Sequence, residues 1–193
     1  MRKIGVIQQL QVQTTSLKQG EKSQRYYDPA GIQRVSALRL THQGVIGLEN
    51  GQAFNDVHHA EHPQSKNRAL TNGISFNFTS HYTLMQQRFG PHLSYGIAGE
   101  NILIVTDETF AESALAGGVI IQTQDGQMVP LTQIGVAAPC APFSEFALNL
   151  EERPPTELLK ATLQFLDEGV RGFYCQAVGD SAMLHIEDKI YLA

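Results

Sequence analysis

The segment Gly118-Val-Ile-Ile-Gln-Thr-Gln-Asp-Gly-Gln-Met-Val-Pro-Leu-Thr-Gln-Ile-Gly-Val-Ala137 contains two apolar runs on either side of a short polar turn. Branched apolar residues are typical of strands, and an Asp-Gly pair between two such runs is a strong hairpin signal. The sequence therefore predicts strands over residues 118–123 and 128–137, joined by a hairpin-type turn at residues 124–127.

Further short apolar runs continue this pattern on both sides of the hairpin. The additional predicted strands are residues 35–40, 101–106, 173–178 and 183–192, with a tight link at residues 179–181 before the last of them. Many short strands with few helices favour a mainly β (α+β) domain, built as a curled sheet or barrel. Nucleotide binding has no sequence support, because regular β-α-β alternation and a glycine-rich phosphate loop are both missing.

Two segments have apolar residues at helical spacing. Residues 156–168 follow a Pro-Pro pair that suits a helix entrance, and this segment stops at Gly169. The second predicted helix covers residues 80–89, with Ser80 as N-cap and Gly90 just past its end. The polar stretch 8–24 is predicted to be a long surface loop.

Length and composition indicate a single domain over residues 1–193. Hydrophobic residues make up 42% and charged residues 17% of the chain, which argues against intrinsic disorder. Fourteen basic and 19 acidic residues give a net charge of -5, so we expect no nucleic-acid partner and no anionic membrane surface. Gln8 interrupts the N-terminal apolar segment too early for a signal peptide, and we therefore expect a cytoplasmic protein.

The two cysteines have different settings. Cys140 follows a predicted strand and stands between Pro139 and Pro142, which make the turn rigid. A thiol placed there is a candidate soft metal ligand or nucleophile; the alternative is an inert buried cysteine. Cys175 shares one face of a predicted strand with Phe173 and Ala177, which indicates a place in the core.

The stretch Asp56-Val-His-His-Ala-Glu-His-Pro63 is the densest polar cluster. His58, His59 and His62 are of the type that ligates zinc. However, Pro63 disfavours helical geometry at His62, and no matching ligand cluster occurs elsewhere. The alternative is that these histidines line a pocket or donate hydrogen bonds.

Several polar residues are candidate anion contacts, because a guanidinium can donate two parallel hydrogen bonds to a phosphate. A single residue of this type is more often a solvated surface group. They are Asn67, Arg68, Arg88 and Arg171.

Five short motifs follow one another along the chain. They are Gly44-Val-Ile-Gly47 with Asp56-Val-His-His59, Gly99-Glu-Asn-Ile102, Ala138-Pro-Cys-Ala-Pro142, Arg171-Gly-Phe-Tyr174 and Ile186-Glu-Asp-Lys-Ile190. In this order they resemble the motifs of the MOSC domain. This module forms the C-terminus of molybdenum-cofactor sulfurases and also occurs as free-standing bacterial proteins. The resemblance covers roughly residues 32–193.

The resemblance implies a β-barrel with a few peripheral helices, and a role in binding the molybdenum-pterin cofactor or in carrying sulfur. Some members reduce N-hydroxylated compounds. Cys140 would then be the catalytic residue and the molybdenum ligand or sulfur carrier, served by a partner reductase or a sulfur donor. The implied cofactor-binding residues are His58, His59, Arg68, Asn101 and Arg171. Glu100 is expected to hold its turn rather than to take part in chemistry.

The sequence departs from the family pattern near the cysteine. Many members carry an arginine shortly before it, whereas this chain has Ala137, Ala138 and Pro139 there. Glu187 stands where a glycine is expected before the final aspartate. Two alternatives therefore remain open: a non-catalytic module that binds a small anion or a partner, and a divalent-metal protein that uses the histidine cluster.

Overall fold

The computed structural model describes residues 1–22, 24–67, 69–179 and 181–193. The strands are β1 (Arg2–Gln13), β2 (Lys18–Gln19), β3 (Tyr26–Tyr27), β4 (Ile32–Arg34), β5 (Ala37–Thr41), β6 (Gly44–Glu49), β7 (Gln52–Asn55), β8 (Ile74–Phe78), β9 (Ile102–Val105), β10 (Val119–Gln122), β11 (Met128–Val136), β12 (Phe173–Ala177), β13 (Ser181–His185) and β14 (Lys189–Leu192). The α-helices are α1 (Thr79–Phe89), α2 (Ala141–Leu148) and α3 (Thr156–Leu166).

Seven of these strands close into a barrel in the order β1-β14-β10-β11-β12-β8-β9, and β9 returns to β1. Neighbouring strands run antiparallel except β8 and β9, which are parallel. Closure leaves none of these seven strands as a free sheet edge. The predicted mainly β (α+β) barrel with peripheral helices is therefore confirmed.

A second sheet, in the order β13-β5-β6-β7, packs against the barrel at β1. Its close approach depends on Gly47 in β6, where an added Cβ would lie 2.8 Å from a methyl group of Val12 and 2.9 Å from one of Val35. A side chain at position 47 would push the two sheets apart, because packed interiors have no room for extra atoms.

The apolar core has two parts, and strand β9 separates them. Ile102 and Ile104 point into the barrel interior, whereas Leu103 points to a second cluster beneath the helices. This split follows from the alternation of side chains along a strand. The second cluster also holds Tyr82 of α1 and Phe143 of α2, so it fixes the helices against the barrel wall.

The opening hairpin is confirmed: β10 and β11 pair from Val119 with Leu131 to Gln122 with Met128. The predicted helix at residues 156–168 is confirmed as α3. Helix α1 begins at Thr79, one residue before the predicted start, and Ser80 does not cap it. Instead, the Ser80 hydroxyl donates to the carbonyl of Glu108, 2.7 Å away.

The predicted surface loop over residues 8–24 is wrong in its first part, where β1 continues to Gln13. Leu10 and Val12 are buried there, and this part of the strand pairs with β9 and β4. Gln11 is also buried, and its side-chain amide donates to the carbonyl of Gly96 at 2.7 Å. A polar strand is stable here because its side-chain amide is satisfied inside the fold.

The predicted strand over residues 183–192 is two strands in different sheets. β13 pairs with β5, whereas β14 pairs with β1 and β10. Glu187 forms the turn between them in the left-handed region, at φ 71°. Asp180, in the predicted link 179–181, lies outside the described residues. None of the helices in the described ranges is long and apolar enough to cross a membrane.

Candidate functional site

Cys140 is the last residue before α2, and its backbone is extended at φ -127° and ψ 153°. Its carbonyl accepts the Ser144 N–H at 3.0 Å, which closes the first turn of the helix. Pro142 suits this helix start, because its fixed φ is preorganised for the first turn. The thiol is half-buried and packs at the edge of the second core cluster. The predicted rigid turn is therefore also a helix start, which the sequence analysis missed.

Arg171 precedes β12 and packs on α2. Its guanidinium carbon lies 4.9 Å from the centre of the Phe143 ring, a cation–π arrangement. One terminal nitrogen donates a long hydrogen bond of 3.5 Å to the carbonyl of Ala98. Among the described residues, its buried Nε has no hydrogen-bond partner. Arg171 therefore links α2 to the loop at Ala98 and keeps one donor unused.

Tyr27, in β3, packs against α2 in the second core cluster. Its hydroxyl donates to the carbonyl of Ile97 at 2.7 Å, and its ring meets Phe143 edge-on at 5.0 Å. Burial raises the pKa of Tyr27 far above its usual value. The charge of Arg171 opposes this shift, while Glu100 and Cys140 add to it. Because Coulomb interactions weaken with distance, all three groups lie within electrostatic range of Tyr27.

Glu100 is only 4% exposed. Its Oε2 accepts a hydrogen bond of 2.9 Å from the Tyr82 hydroxyl, which in turn accepts the Ala98 N–H at 3.0 Å. Its Oε1 has no partner within the part of the chain that the structure describes. Burial raises the pKa of Glu100 to about 7, against the opposing effects of its own backbone N–H, the Tyr82 hydroxyl and Arg171.

We call Cys140, Tyr27, Tyr82, Glu100 and Arg171 the Cys140 cluster. From the sequence, Tyr82 falls within the predicted helix over residues 80–89, Glu100 is expected to hold its turn, and Tyr27 is not a candidate. One signal was available: a buried tyrosine hydroxyl needs a hydrogen-bond partner, and a nearby carboxyl group can provide it.

A second buried group surrounds Asp56, which is 0% exposed. Its Oδ2 accepts hydrogen bonds from the Gln13 N–H at 2.8 Å and from the Asn101 side-chain amide at 2.9 Å. Its Oδ1 binds the N–H and the Nδ1 of His58, both at 2.9 Å. We call this group the Asp56 network. It uses every acceptor site that a carboxylate normally offers.

Asn101 and His58 meet in this network rather than in the Cys140 cluster. The Asn101 side-chain oxygen accepts from the N–H and the hydroxyl of Ser75, both at 3.0 Å, so its amide is engaged inside the fold. The His58 side chain is 42% exposed. Gln13 connects the two groups, because its side chain donates to the carbonyl of Gly99, next to Glu100, at 2.6 Å.

The other histidines of the sequence cluster point elsewhere. His59 is buried against Gly44, where an added Cβ would lie 2.9 Å from the His59 Cα. Burial lowers the pKa of His59. His62 binds the carbonyl of Thr14 through Nε2 at 3.1 Å and accepts the Gln64 N–H through Nδ1. Among the residues that the structure describes, no three His, Cys, Asp or Glu side chains are grouped to hold a metal ion.

The remaining candidates lie apart from Cys140 or outside the description. Asn67 is buried, and its side-chain amide donates to the carbonyl of His58 at 3.0 Å. Arg88 is exposed and stacks on Phe165, with its guanidinium carbon 4.3 Å from the ring centre. Arg68 lies outside the described residues.

A cleft of about 480 Å³ borders the N-terminal end of α2. Ala141 and Pro142 line it, together with charged residues of both signs that include Lys22, Arg25 and Glu151. Cys140 and Arg171 are not among its lining residues. Volume alone does not define a functional site, which also needs side chains that can take part in chemistry. We therefore assign the candidate site to the Cys140 cluster rather than to this cleft.

Comparison with solved structures identifies similar folds. The YuaD protein from Bacillus subtilis matches with a TM-score of 0.61 and 13% identity, over 98% of this chain and 96% of that chain. A hypothetical protein matches with a TM-score of 0.56 and 13% identity, over 99% of this chain and 69% of that chain. YiiM from Geobacillus stearothermophilus has a TM-score of 0.49 and 14% identity, over 100% and 74% of the two chains.

No protein-family model matches the sequence, and a comparison with curated proteins finds no match. At 13% identity, the likeness to YuaD shows the fold alone. The chain thus shares a β-barrel fold with YuaD, and this fold agrees with the MOSC-like β-barrel that the ordered motifs predict.

Proposed function

We propose that this chain binds the molybdenum-pterin cofactor, or carries sulfur, through Cys140, in a site suited to the reduction of N-hydroxylated substrates. One observation carries the proposal. The half-buried Cys140 thiol lies in the same cluster as Arg171, whose buried Nε has no partner among the described residues. A thiol and an unused guanidinium donor in one cluster are unusual for a purely structural region.

The chemistry of these groups fits the proposed cofactor at two points. A thiolate is a soft ligand that suits a transition metal. A guanidinium suits a phosphate group, because it is always charged and donates several hydrogen bonds. Cys140 would hold the metal and Arg171 the anionic part. His58, Asn101 and Arg68 stay proposed pocket residues, and His59 is proposed with them.

The surrounding residues prepare these two groups. The Phe143 ring packs on Arg171, and the Tyr27 ring packs edge-on against Phe143. These rings exclude water from one side of the site, which strengthens electrostatic interactions there. Cys140 must lose its proton to bind a metal, which links binding to pH. When bound, the molybdenum-pterin group supplies the redox chemistry, and a partner reductase or a sulfur donor serves it.

Metal and pterin analysis tests the proposal. The protein is purified from a cofactor-producing host as wild type, Cys140→Ser and Cys175→Ala, and each sample is analysed for molybdenum, for the fluorescence of extracted pterin and for the mass of a persulfide. Cys175 is fully buried in the barrel and serves as the matched thiol control. We expect wild type and Cys175→Ala to carry the cofactor or the added sulfur, and Cys140→Ser to lose both. Wild-type protein without molybdenum, pterin or persulfide would contradict the proposal.

One observation favours a second function, that of a non-catalytic module that binds small anions. The Arg171 Nε has no partner among the described residues, whether or not Cys140 reacts. In that case Cys140→Ala leaves anion affinity unchanged, and Arg171→Met removes it. The histidine-cluster alternative has no such support, because no three His, Cys, Asp or Glu side chains of the described residues are grouped to hold a metal ion.

A further inference from the structure

Glu100 and Arg171 attach to the same short loop without forming an ion pair. Arg171 donates to the carbonyl of Ala98, whereas Tyr82 accepts the N–H of Ala98 and donates to Glu100. Each charged group keeps one buried polar atom, Oε1 and Nε, that has no partner among the described residues. Buried polar atoms of this kind are rare, because an unmade hydrogen bond is costly. Two such atoms in side chains that meet at the segment around Ala98 require an explanation.

The side chains of Glu100 and Arg171 differ in their exposure to solvent. Glu100 is 4% exposed and is enclosed by the protein. Arg171 is only half-buried, so part of its side chain is open to solvent. A ligand from solution therefore meets Arg171 first, with Glu100 behind it.

The ionisable groups that face Glu100 come from three elements. They are Tyr82 from α1, Tyr27 from β3 and Arg171 from the segment before β12. Cys140 contributes indirectly, because it raises the pKa of Tyr27. Burial raises the pKa of both tyrosines, which keeps them neutral. The protonation of Glu100 therefore decides whether the positive charge of Arg171 is balanced from within the protein.

We propose that Arg171 binds a small oxyanion, and that Glu100 is a positioning residue behind it that takes up one proton from solvent when the anion binds. The inference rests on the proposed function only in placing the ligand at the Cys140 cluster. The shared ligand chemistry is a negatively charged group whose oxygens accept hydrogen bonds. Its source is either the phosphate of a larger cofactor or a free inorganic oxyanion.

The sign of the pH dependence follows from this arrangement. When Glu100 is neutral, the net charge of the pair is positive and attracts the anion. When Glu100 is ionised, the pair is neutral and its carboxylate repels the anion. Oxyanion affinity should therefore fall as the pH rises through about 7, the pKa to which burial raises Glu100.

Sulfate is the test probe, because it stays fully ionised near neutral pH. The protein is produced in a host that cannot make the pterin cofactor. Sulfate binding is measured by isothermal titration calorimetry at about pH 6 and about pH 8 and, in every protein that keeps Arg171, also by the NMR signal of the Arg171 Nε–H. We expect wild type to bind roughly tenfold more tightly at the lower pH, as unit charges several Å apart near a protein surface would produce. Glu100→Gln should bind tightly at both pH values, and Arg171→Met should not bind.

Two comparisons keep this test specific. Arg88→Met removes an exposed arginine that also stacks on a phenylalanine, so this variant should bind sulfate as wild type does. Histidines titrate near neutral pH as well, so the difference between wild type and Glu100→Gln isolates the effect of Glu100. If Glu100→Gln does not fold, carbon-detected NMR of the Glu100 carboxyl group in wild type, with and without sulfate, shows directly whether this group takes up the proton.

The outcomes separate the possibilities. Equal sulfate affinity at the two pH values in wild type, or unchanged binding by Arg171→Met, would overturn the inference. Sulfate binding with the expected pH dependence in a protein that never acquires molybdenum would support it for a free oxyanion while the proposed cofactor function fails. Sulfate displaced by the bound cofactor would identify the cofactor phosphate as the source.

Discussion

The Asp56 network and the Cys140 cluster are both buried polar groups, yet their hydrogen-bonding capacity is used differently. Asp56 receives four hydrogen bonds on its two carboxylate oxygens. Glu100 receives one side-chain hydrogen bond, from Tyr82, and keeps an oxygen without a partner among the described residues. A saturated network stabilises a fold, whereas an unsaturated one retains capacity for a ligand or a proton. Burial alone therefore does not distinguish a structural polar network from a candidate functional site.

The largest expected effect is the loss of the Asp56 carboxylate. Asp56→Ala leaves the Gln13 N–H and the Asn101 amide buried without their acceptor, and it detaches His58. We expect the free energy of unfolding to fall by about 3–5 kcal/mol, measured by urea denaturation. Asp107→Ala, which changes an exposed aspartate, is the matched control and should stay within about 0.5 kcal/mol of wild type. A small effect of Asp56→Ala would remove the distinction between the two regions.

The next effect is the pH dependence of stability that Glu100 imposes. Burial raises its pKa from 4.5 to about 7, so the folded state holds the proton more tightly than the unfolded state does. This contribution is fully present below about pH 4.5 and is lost as the pH rises through about 7, for a total of about 3 kcal/mol. Subtracting the stability curve of Glu100→Gln from that of wild type should reveal this slope. A flat difference between the curves would show that Glu100 ionises normally.

The sequence predicted the local elements well and the buried polar contacts poorly. The hairpin at residues 118–137 and helix α3 follow from turn chemistry and apolar spacing, which nearby residues determine. The burial of Gln11 in β1 could not be predicted in this way, because its side chain donates to the carbonyl of Gly96, which lies 85 residues away. The motifs named Cys140 and Arg171 as site residues. Glu100 acquires its unusual setting only when α1 brings Tyr82 against it, and a linear pattern does not contain that contact.

A smaller effect should follow from Tyr82→Phe, which removes only the hydroxyl between Ala98 and Glu100. The Ala98 N–H and Glu100 each lose a buried partner, so we expect a stability loss of about 1–3 kcal/mol. The pKa of Glu100 should rise further, because the Tyr82 hydrogen bond lowers it. Carbon-detected NMR of the Glu100 carboxyl group measures this directly. An unchanged or lower pKa would mean that Tyr82 does not set the protonation of the cluster.

The smallest effect belongs to the exposed edge of the Asp56 network. His58→Ala removes one hydrogen bond to Asp56, but the His58 backbone N–H keeps its own bond to the same oxygen. The His58 side chain is 42% exposed, so water can replace its ring nitrogen. We therefore expect a stability loss below about 1 kcal/mol, measured by the same urea denaturation. A loss as large as that of Asp56→Ala would show that His58 is a structural member of the network. A small stability loss combined with lost pterin in the cofactor analysis would place His58 at the ligand, because the fold does not depend on its ring.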